Sequence, residues 1–266
     1  MQKIWVVLGI GNSRDHWAWF LNTELQVSWD TPSFDIDIIT YSRSGDSIES
    51  DLLRSFPQDL QALILIDRIA ISTIPIYLVS VVPSQTKIWQ QLPQVRQITL
   101  TDVPLLNLYP TLGIDRALAI LGAGENYGYP VLVIDGGTAL TITGVNQDRS
   151  LVGGAIIPGL GLQFRSLFIG TAKLPEVEVL AQLPSRWGRD TSTAISSGVL
   201  YTATAGIADY IQDWERLFPN GQIVFTGGDG ETLAIYLKLK LPEYIAKRIV
   251  FDLHLIFKGV LMVVDQ

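Results

Sequence analysis

The sequence predicts an α/β protein of two related halves, and three observations carry that prediction. Val131-Leu132-Val133-Ile134-Asp135-Gly136-Gly137-Thr138-Ala139-Leu140-Thr141-Ile142 reads as a buried strand, a polar glycine turn and a return strand. Near the N-terminus, Val7-Leu8-Gly9-Ile10-Gly11-Asn12-Ser13 can be laid over residues 133–139, with Gly11 on Gly137 and Gly9 at the place of Asp135. A third run, Ile223-Val224-Phe225-Thr226, breaks into Gly227-Gly228-Asp229-Gly230. Glycine turns at strand ends present backbone N–H groups that suit phosphate oxygens. Any one of them is an ordinary tight turn; their joint occurrence and the near-repeat point to a phosphate or nucleotide cradle.

Composition narrows the chemistry. The chain has 266 residues, 48% of them hydrophobic and 17% charged, which is enough for one large core or two modest ones and too apolar for disorder. Nineteen Lys and Arg stand against twenty-six Asp and Glu with no dense basic block, which argues against a nucleic-acid surface. With no cysteine, disulfides, thiolate catalysis and thiolate-ligated metals are excluded. His16 and His254 alone do not make a histidine metal site, so a metal is expected on oxygen ligands. The start, Met1-Gln2-Lys3-Ile4-Trp5, lacks a signal-peptide pattern, and the apolar run 249–264 is broken by Asp252, His254 and Lys258. No membrane span and a cytoplasmic location are the expectation.

In chain order, a strand and a return strand carrying Trp17, Trp19 and Phe20 join at Gly11-Asn12-Ser13, and 36–41 offers a further strand. Asp46 and Glu49 have capping-box spacing for a helix through Phe56. Residues 62–66 and 76–82 read as buried strands, the second stopped by Pro83; 84–92 reads as helix and 95–100 as strand. Pro110 and Gly113 break the chain before an Ala/Leu-rich helix, which suggests domains at 1–113 and 114–266. Asp115 suits the first turn of that helix; Arg116 faces the wrong end of the dipole and makes sense if it meets an anion.

Beyond the central turn, a strand over 151–157 leads through Pro158 into a helix to Phe168, and Lys173-Leu174-Pro175 is loop. A long helix follows Gly188-Arg189-Asp190-Thr191 to about Trp214, with Ala194, Gly198, Thr202, Ala205 and Gly206 leaving room for another backbone, within the fold or across a subunit boundary. A helix over 231–240 comes next, and 253–257 and 261–264 read as one more strand and a terminal helix that packs on the core or back on the first domain.

No Gly-x-x-x-x-Gly-Lys-Ser/Thr sequence is present, and Gly9-Ile10-Gly11 lacks the third glycine of a dinucleotide fingerprint. Duplicated strand–turn–strand units point by organisation to the actin, hexokinase and acetate-kinase (ASKHA) superfamily, whose two ribonuclease H-like domains close on ATP. More specifically, Gly9-Ile10-Gly11-Asn12-Ser13, Gly113-Ile114-Asp115-Arg116, Asp135-Gly136-Gly137-Thr138-Ala139, residues 153–159, Gly188 to Thr191 with Ser197-Gly198, and Thr226-Gly227-Gly228 occur in an order that resembles the type III pantothenate kinase family along nearly the whole chain.

The resemblance implies transfer of the ATP γ-phosphoryl group to the primary hydroxyl of pantothenate, giving 4'-phosphopantothenate for coenzyme A biosynthesis. It marks Asp115 as the general base, and Tyr109, Gly113, Ile114, Asp115, Arg116 and Thr191 as pantothenate-binding, Thr191 from a neighbouring subunit. Gly9, Ile10, Gly11, Asn12, Ser13, Arg14, Asp15, His16 and Thr138 would meet ATP. Asp135 would bind a monovalent cation, potassium or ammonium, magnesium would arrive with ATP, and the protein would be a homodimer. A positioned aspartate can orient a hydroxyl and take its proton late in phosphoryl transfer, and arginine can hold a carboxylate through two parallel hydrogen bonds. The family's first motif begins with an acid where this chain has Gly9. That departure motivates one alternative, a weak or silent nucleotide-binding regulator; a sugar-kinase-like phosphotransferase with another hydroxyl acceptor is a second.

Overall fold

The computed structural model describes residues 3–11, 13–32, 48–178 and 183–265. The chain divides into two compact units, one of Met1–Val103, Pro110–Leu118 and Val260–Gln266, the other of Pro104–Tyr109 and Ala119–Gly259. Each unit is built on its own five-stranded sheet.

In the first unit, β1 (Ile4–Ile10), β2 (Asp15–Leu21) and β3 (Glu24–Thr31) form an antiparallel meander, and β4 (Ile76–Ser80) and β5 (Val95–Gln97) continue the sheet parallel to β1 in the order β3-β2-β1-β4-β5. In the second, β6 (Val131–Gly136), β7 (Ala139–Val145) and β8 (Leu151–Pro158) form the meander, and β9 (Gln222–Thr226) and β10 (Ile249–Phe251) run parallel to β6. Its order, β8-β7-β6-β9-β10, repeats that of the first. The duplication read at the turns therefore extends across both sheets, with Gly9 facing Val79 on the parallel neighbour as Asp135 faces Thr226. The N-terminal turn is longer, since residues 11–14 separate the paired Ile10 and Asp15 whereas 137–139 separate Gly136 and Leu140.

Central strands are apolar on both faces because both are covered: Trp5, Val6, Val7 and Leu8 in β1 and Val131, Leu132, Val133 and Ile134 in β6 are all buried. Over one face of the first sheet lie α1 (Ile48–Ser55), α2 (Gln58–Ile66) and α3 (Pro83–Trp89), where Leu8, Ile10 and Trp17 pack with Leu60, Ile64 and Trp89. Residues 62–66 are thus helical and not a strand. Pro57 starts the helix, Leu60 and Ile64 are buried one turn apart, and Leu65 and Ile66 project outward at 64% and 77% exposure. The strand expected over 95–100 stops at Gln97, and a 3-10 turn at Leu100–Asp102 follows, capped by the Thr99 and Asp102 side chains. The expected strand 36–41 and Asp46 of the capping box lie outside the described residues.

In the second unit, α5 (Leu160–Gly170), α6 (Thr191–Leu217), α7 (Gly230–Lys238) and α8 (Glu243–Ala246) bury Phe164, Leu200, Ile207, Leu233 and Ile245 against Ile134, Ile142 and Phe225. The two remaining helices, α4 (Ile114–Tyr127) and α9 (Leu255–Val264), approach closely at Gly122, where a Cβ would strike the Leu255 carbonyl and the Gly259 nitrogen. The expectation of a strand over 253–257 fails, since the last strand is β10 and Leu255 already opens α9.

Asp252 explains that break. Its carboxylate accepts from the His254 amide at 2.9 Å, the Tyr127 hydroxyl at 2.7 Å and the Lys258 ammonium at 2.5 Å, so it ends the strand and ties α9 to α4. Burial alone would raise the Asp252 carboxyl, but Lys258, Tyr127 and the His254 amide outweigh it and hold the group below the usual carboxylate range. The same burial and the facing carboxylate push Tyr127 up to about 12. A carboxyl depressed in the folded state stabilises fully above its unfolded value of about 3.9 and loses that contribution as pH falls through the folded value. Acid titration of stability is therefore expected to show wild type ahead of Asp252→Asn near neutrality, with the gap closing below about pH 4; a gap independent of pH would contradict the clamp.

Candidate active site

The N-terminal hairpin is closed by the Gly11 amide donating to the Arg14 carbonyl at 3.2 Å, and its tip presents the exposed Ser13 and Arg14. Asn12 lies outside the described residues. Side chains alternate across a pleated sheet, so the register separates two sets. Ile10, Asp15 and Trp17 share the face that carries the core, and Asp15 is completely buried there. Gly9, His16 and Asp30 form a cross-strand row on the other face. In that row His16 Nδ1 meets Asp30 Oδ1 at 2.7 Å, and Arg14 Nη1 donates to Asp30 Oδ2 at 3.0 Å. Partial burial acts to raise the Asp30 carboxyl; the hydrogen bonds and charges of Arg14 and His16 prevail and lower it.

The corresponding turn of the second unit is assembled from three segments. Asp135, half-buried near the end of β6, sits against Gly227, whose φ of +82° is a left-handed conformation suited to glycine. A Cβ at Gly227 would run into the Asp135 carboxylate and the Gly136 backbone. The Asp229 amide donates to the Gly136 carbonyl at 2.8 Å, and the Gly159 amide donates to the Thr138 carbonyl at 3.0 Å. A Cβ at Gly159 would collide with the Gly137 and Thr138 carbonyls. The second and third glycine runs and the end of residues 153–159 thus form one backbone cluster, with Thr138 exposed on it. Asp229 opens α7 without capping it, and burial raises its carboxyl.

Asp115 stands in the first turn of α4, half-buried, with Oδ1 accepting from the Arg116 amide at 2.8 Å. Gly113 is the reason it can do so, because a Cβ there would occupy the place of that Oδ1. Arg116 and Ile114 are buried at 7% and 8% exposure. Tyr109 is 40% exposed, and Thr191 is exposed as the first residue of α6, whose N-terminus Asp190 caps by accepting from the Thr193 amide at 2.9 Å. Residues 9–16 and 113–116 fall in the first unit, and Tyr109, Asp135, Thr138 and Thr191 in the second.

The structure brings together Asp135, Gly136, Thr138, Gly159, Gly227 and Asp229 in one cluster and Gly113, Asp115 and Arg116 in another. Sequence reasoning missed Asp30, because β3 went unseen. The available signal was alternation, with Trp29 and Trp17 on one face and Asp30 and His16 on the other, after a turn at Asn22 whose φ is +56°. Chemically, a fixed carboxylate beside a helix N-terminus can take a proton, and glycine turns of bare amides can hold phosphate.

Comparison with known proteins gives the fold and the family. A Campylobacter jejuni protein described as a conserved Baf family transcriptional activator superposes with a TM-score of 0.62 at 21% identity over 98% of this chain and 97% of its own. The ethanolamine utilization protein EutJ from Carboxydothermus hydrogenoformans gives 0.51 at 10% identity, covering 98% and 88%. With the repeated sheet order, these likenesses fit a fold of two related α/β domains. Type III pantothenate kinases from Nostoc sp. and Synechocystis sp. are each 44% identical, over 99% and 97% of this chain and 95% and 89% of their own lengths. A sequence profile described as type III pantothenate kinase matches residues 5–213, and the chain belongs to that family.

Proposed function

We propose that this protein transfers the γ-phosphoryl group of ATP to the primary hydroxyl of pantothenate, producing 4'-phosphopantothenate, the first step of coenzyme A biosynthesis. Beyond family membership, the observation that carries the reading is the Asp115 carboxylate, fixed on the Arg116 amide in space that Gly113 leaves open. Phosphoryl transfer asks little covalent chemistry of a protein, so positioning dominates. Asp115 orients the acceptor hydroxyl and takes its proton as the new P–O bond forms. The buried Arg116 guanidinium supports pantothenate binding by charge, with Tyr109, Gly113, Ile114 and Thr191 completing the acceptor site.

ATP phosphates are assigned to Gly9, Ile10, Gly11, Asn12, Ser13, Arg14, Asp15 and His16 and to Thr138, with Asp15 contributing through its backbone because its side chain is buried in the core. Asp135 offers a half-buried carboxylate beside the Gly136 and Gly227 backbone. Such oxygen donors fit a monovalent cation, potassium or ammonium, and a hard divalent ion such as magnesium entering with the nucleotide. Bound magnesium neutralises phosphate charge; the protein's own task is to hold and align the two substrates.

A homodimer belongs to the same reading. A groove of about 680 Å³ runs along α6 beside Arg186, Trp187 and Tyr201; Gly198 and Gly206 face open space, and Trp187 is 83% exposed. Small residues next to an exposed tryptophan give a surface on which a second backbone can pack closely. No helix of the described residues is long and apolar enough to cross a membrane, and we assign the reaction to the cytoplasm.

ATP-dependent formation of phosphopantothenate, with potassium and magnesium present, tests the function. Asp115→Asn is expected to lower kcat by about 10²-fold or more; wild type that makes no more product than this variant would refute the reading. Gly113→Ala should keep the circular dichroism spectrum and lose about tenfold or more in kcat through misplacement of Asp115, and full activity would contradict the role given to that glycine. Sedimentation at micromolar concentration should find a dimer, and Gly198→Arg should yield monomer; a monomeric wild type would reject the assembly.

A further inference from the structure

We infer that His16 and Asp30 together replace the acid that the first glycine turn lacks, with His16 meeting the metal-bound nucleotide and Asp30 acting as its positioning residue. The inference rests on the nucleotide part of the preceding proposal and adds Asp30 and a division of labour to it.

The duplicated sheets differ in one cross-strand row. In the second unit the row across the meander is Asp135, Thr141, Ile156, with the acid on the central strand. In the first it is Gly9, His16, Asp30, with the central position empty of side chain and the acid two strands away. Neighbouring strands lie about 4.8 Å apart, so Asp30 is roughly 10 Å from the backbone of Gly9, beyond the reach of an aspartate side chain acting alone. The imidazole stands between them. His16 Cβ lies 3.6 Å from where a Cβ of residue 9 would be, and the ring is held from behind by Asp30 at 2.7 Å.

The bond fixes which ring nitrogen does what. An ionised carboxylate only accepts hydrogen bonds, so Nδ1 carries the hydrogen that Asp30 receives, and in the neutral ring Nε2 presents its lone pair. That nitrogen can accept from a water on a divalent ion, as a carboxylate oxygen would at residue 9. Arg14, bonded to the other Asp30 oxygen at 3.0 Å, balances the acid's charge and ties it to the hairpin tip. Asp15 cannot fill this role through its side chain, because it is buried on the opposite face with Ile10 and Trp17.

The test is calorimetric titration of the full-length chain with the non-hydrolysable analogue AMP-PNP, with and without magnesium. His16→Asn and Asp30→Asn should each weaken magnesium-nucleotide binding about tenfold, and Asp30→Asn should leave metal-free nucleotide and pantothenate binding within about twofold. Gly9→Asp has room, its Cβ meeting nothing nearer than the His16 carbonyl at 3.4 Å, and in the His16→Asn background it should restore binding, a gain that misfolding cannot produce. Less than about twofold weakening in Asp30→Asn, equal weakening with and without magnesium, or no restoration by Gly9→Asp would each overturn the inference. Binding that follows this pattern in a protein that does not phosphorylate pantothenate would refute the acceptor assignment and leave the inference standing.

Discussion

The fold depends on a place where backbones meet with no side chains between them. At Gly136–Thr138 the second unit's turn is gripped by Gly159 on one side and Gly227 on the other, each too close to admit a Cβ. Two amide-to-carbonyl bonds, from Asp229 to Gly136 and from Gly159 to Thr138, lock the arrangement. Such contacts tolerate no side chain, and a phosphate cradle without a Walker lysine is built from glycine turns of this kind. The sheet behind it is a packed apolar layer, so the turn is held by a rigid support and presents Asp135 and Thr138 from fixed strand ends.

A second constraint acts on α4. Its N-terminus places Asp115 and Arg116, and its far end is tied to α9 through Tyr127, Asp252 and Lys258 and through the close approach at Gly122. Glycine serves opposite ends of this helix for different reasons. Gly122 allows another backbone to approach, whereas Gly113 clears the volume that one carboxylate oxygen occupies. The catalytic assignment thus rests on a helix fixed at one end and a side chain whose rotamer is chosen by an absent methyl group.

Much of this was legible in the sequence, for a physical reason. The central strands β1 and β6 are buried on both faces and run out into glycine turns, so composition and turn chemistry agree and the duplication shows directly. The helix start at Asp115 was equally plain, because proline, glycine and an Ala/Leu run fall in order. Residues 62–66 misled because five apolar residues in a row carry no period; only the burial of Leu60 and Ile64 one turn apart reveals a helix. Asp30 was invisible for another reason: β3 is a half-exposed edge strand with polar residues, and the pairing that sets Asp30 beside His16 exists only once three strands are in register. The break before the Ala/Leu run located Gly113, but its purpose emerged only from the position of the Asp115 oxygen.

The central claim is that Asp115 faces the acceptor alcohol while the glycine turns hold the triphosphate. A crystal structure of the complex with magnesium, AMP-PNP and pantothenate measures this directly. The account expects an Asp115 carboxylate oxygen within about 3.2 Å of the pantothenate primary hydroxyl, with the γ-phosphoryl group in line behind it. An Asp115 side chain turned away from that hydroxyl, or a different group within bonding distance of it, would contradict the mechanism.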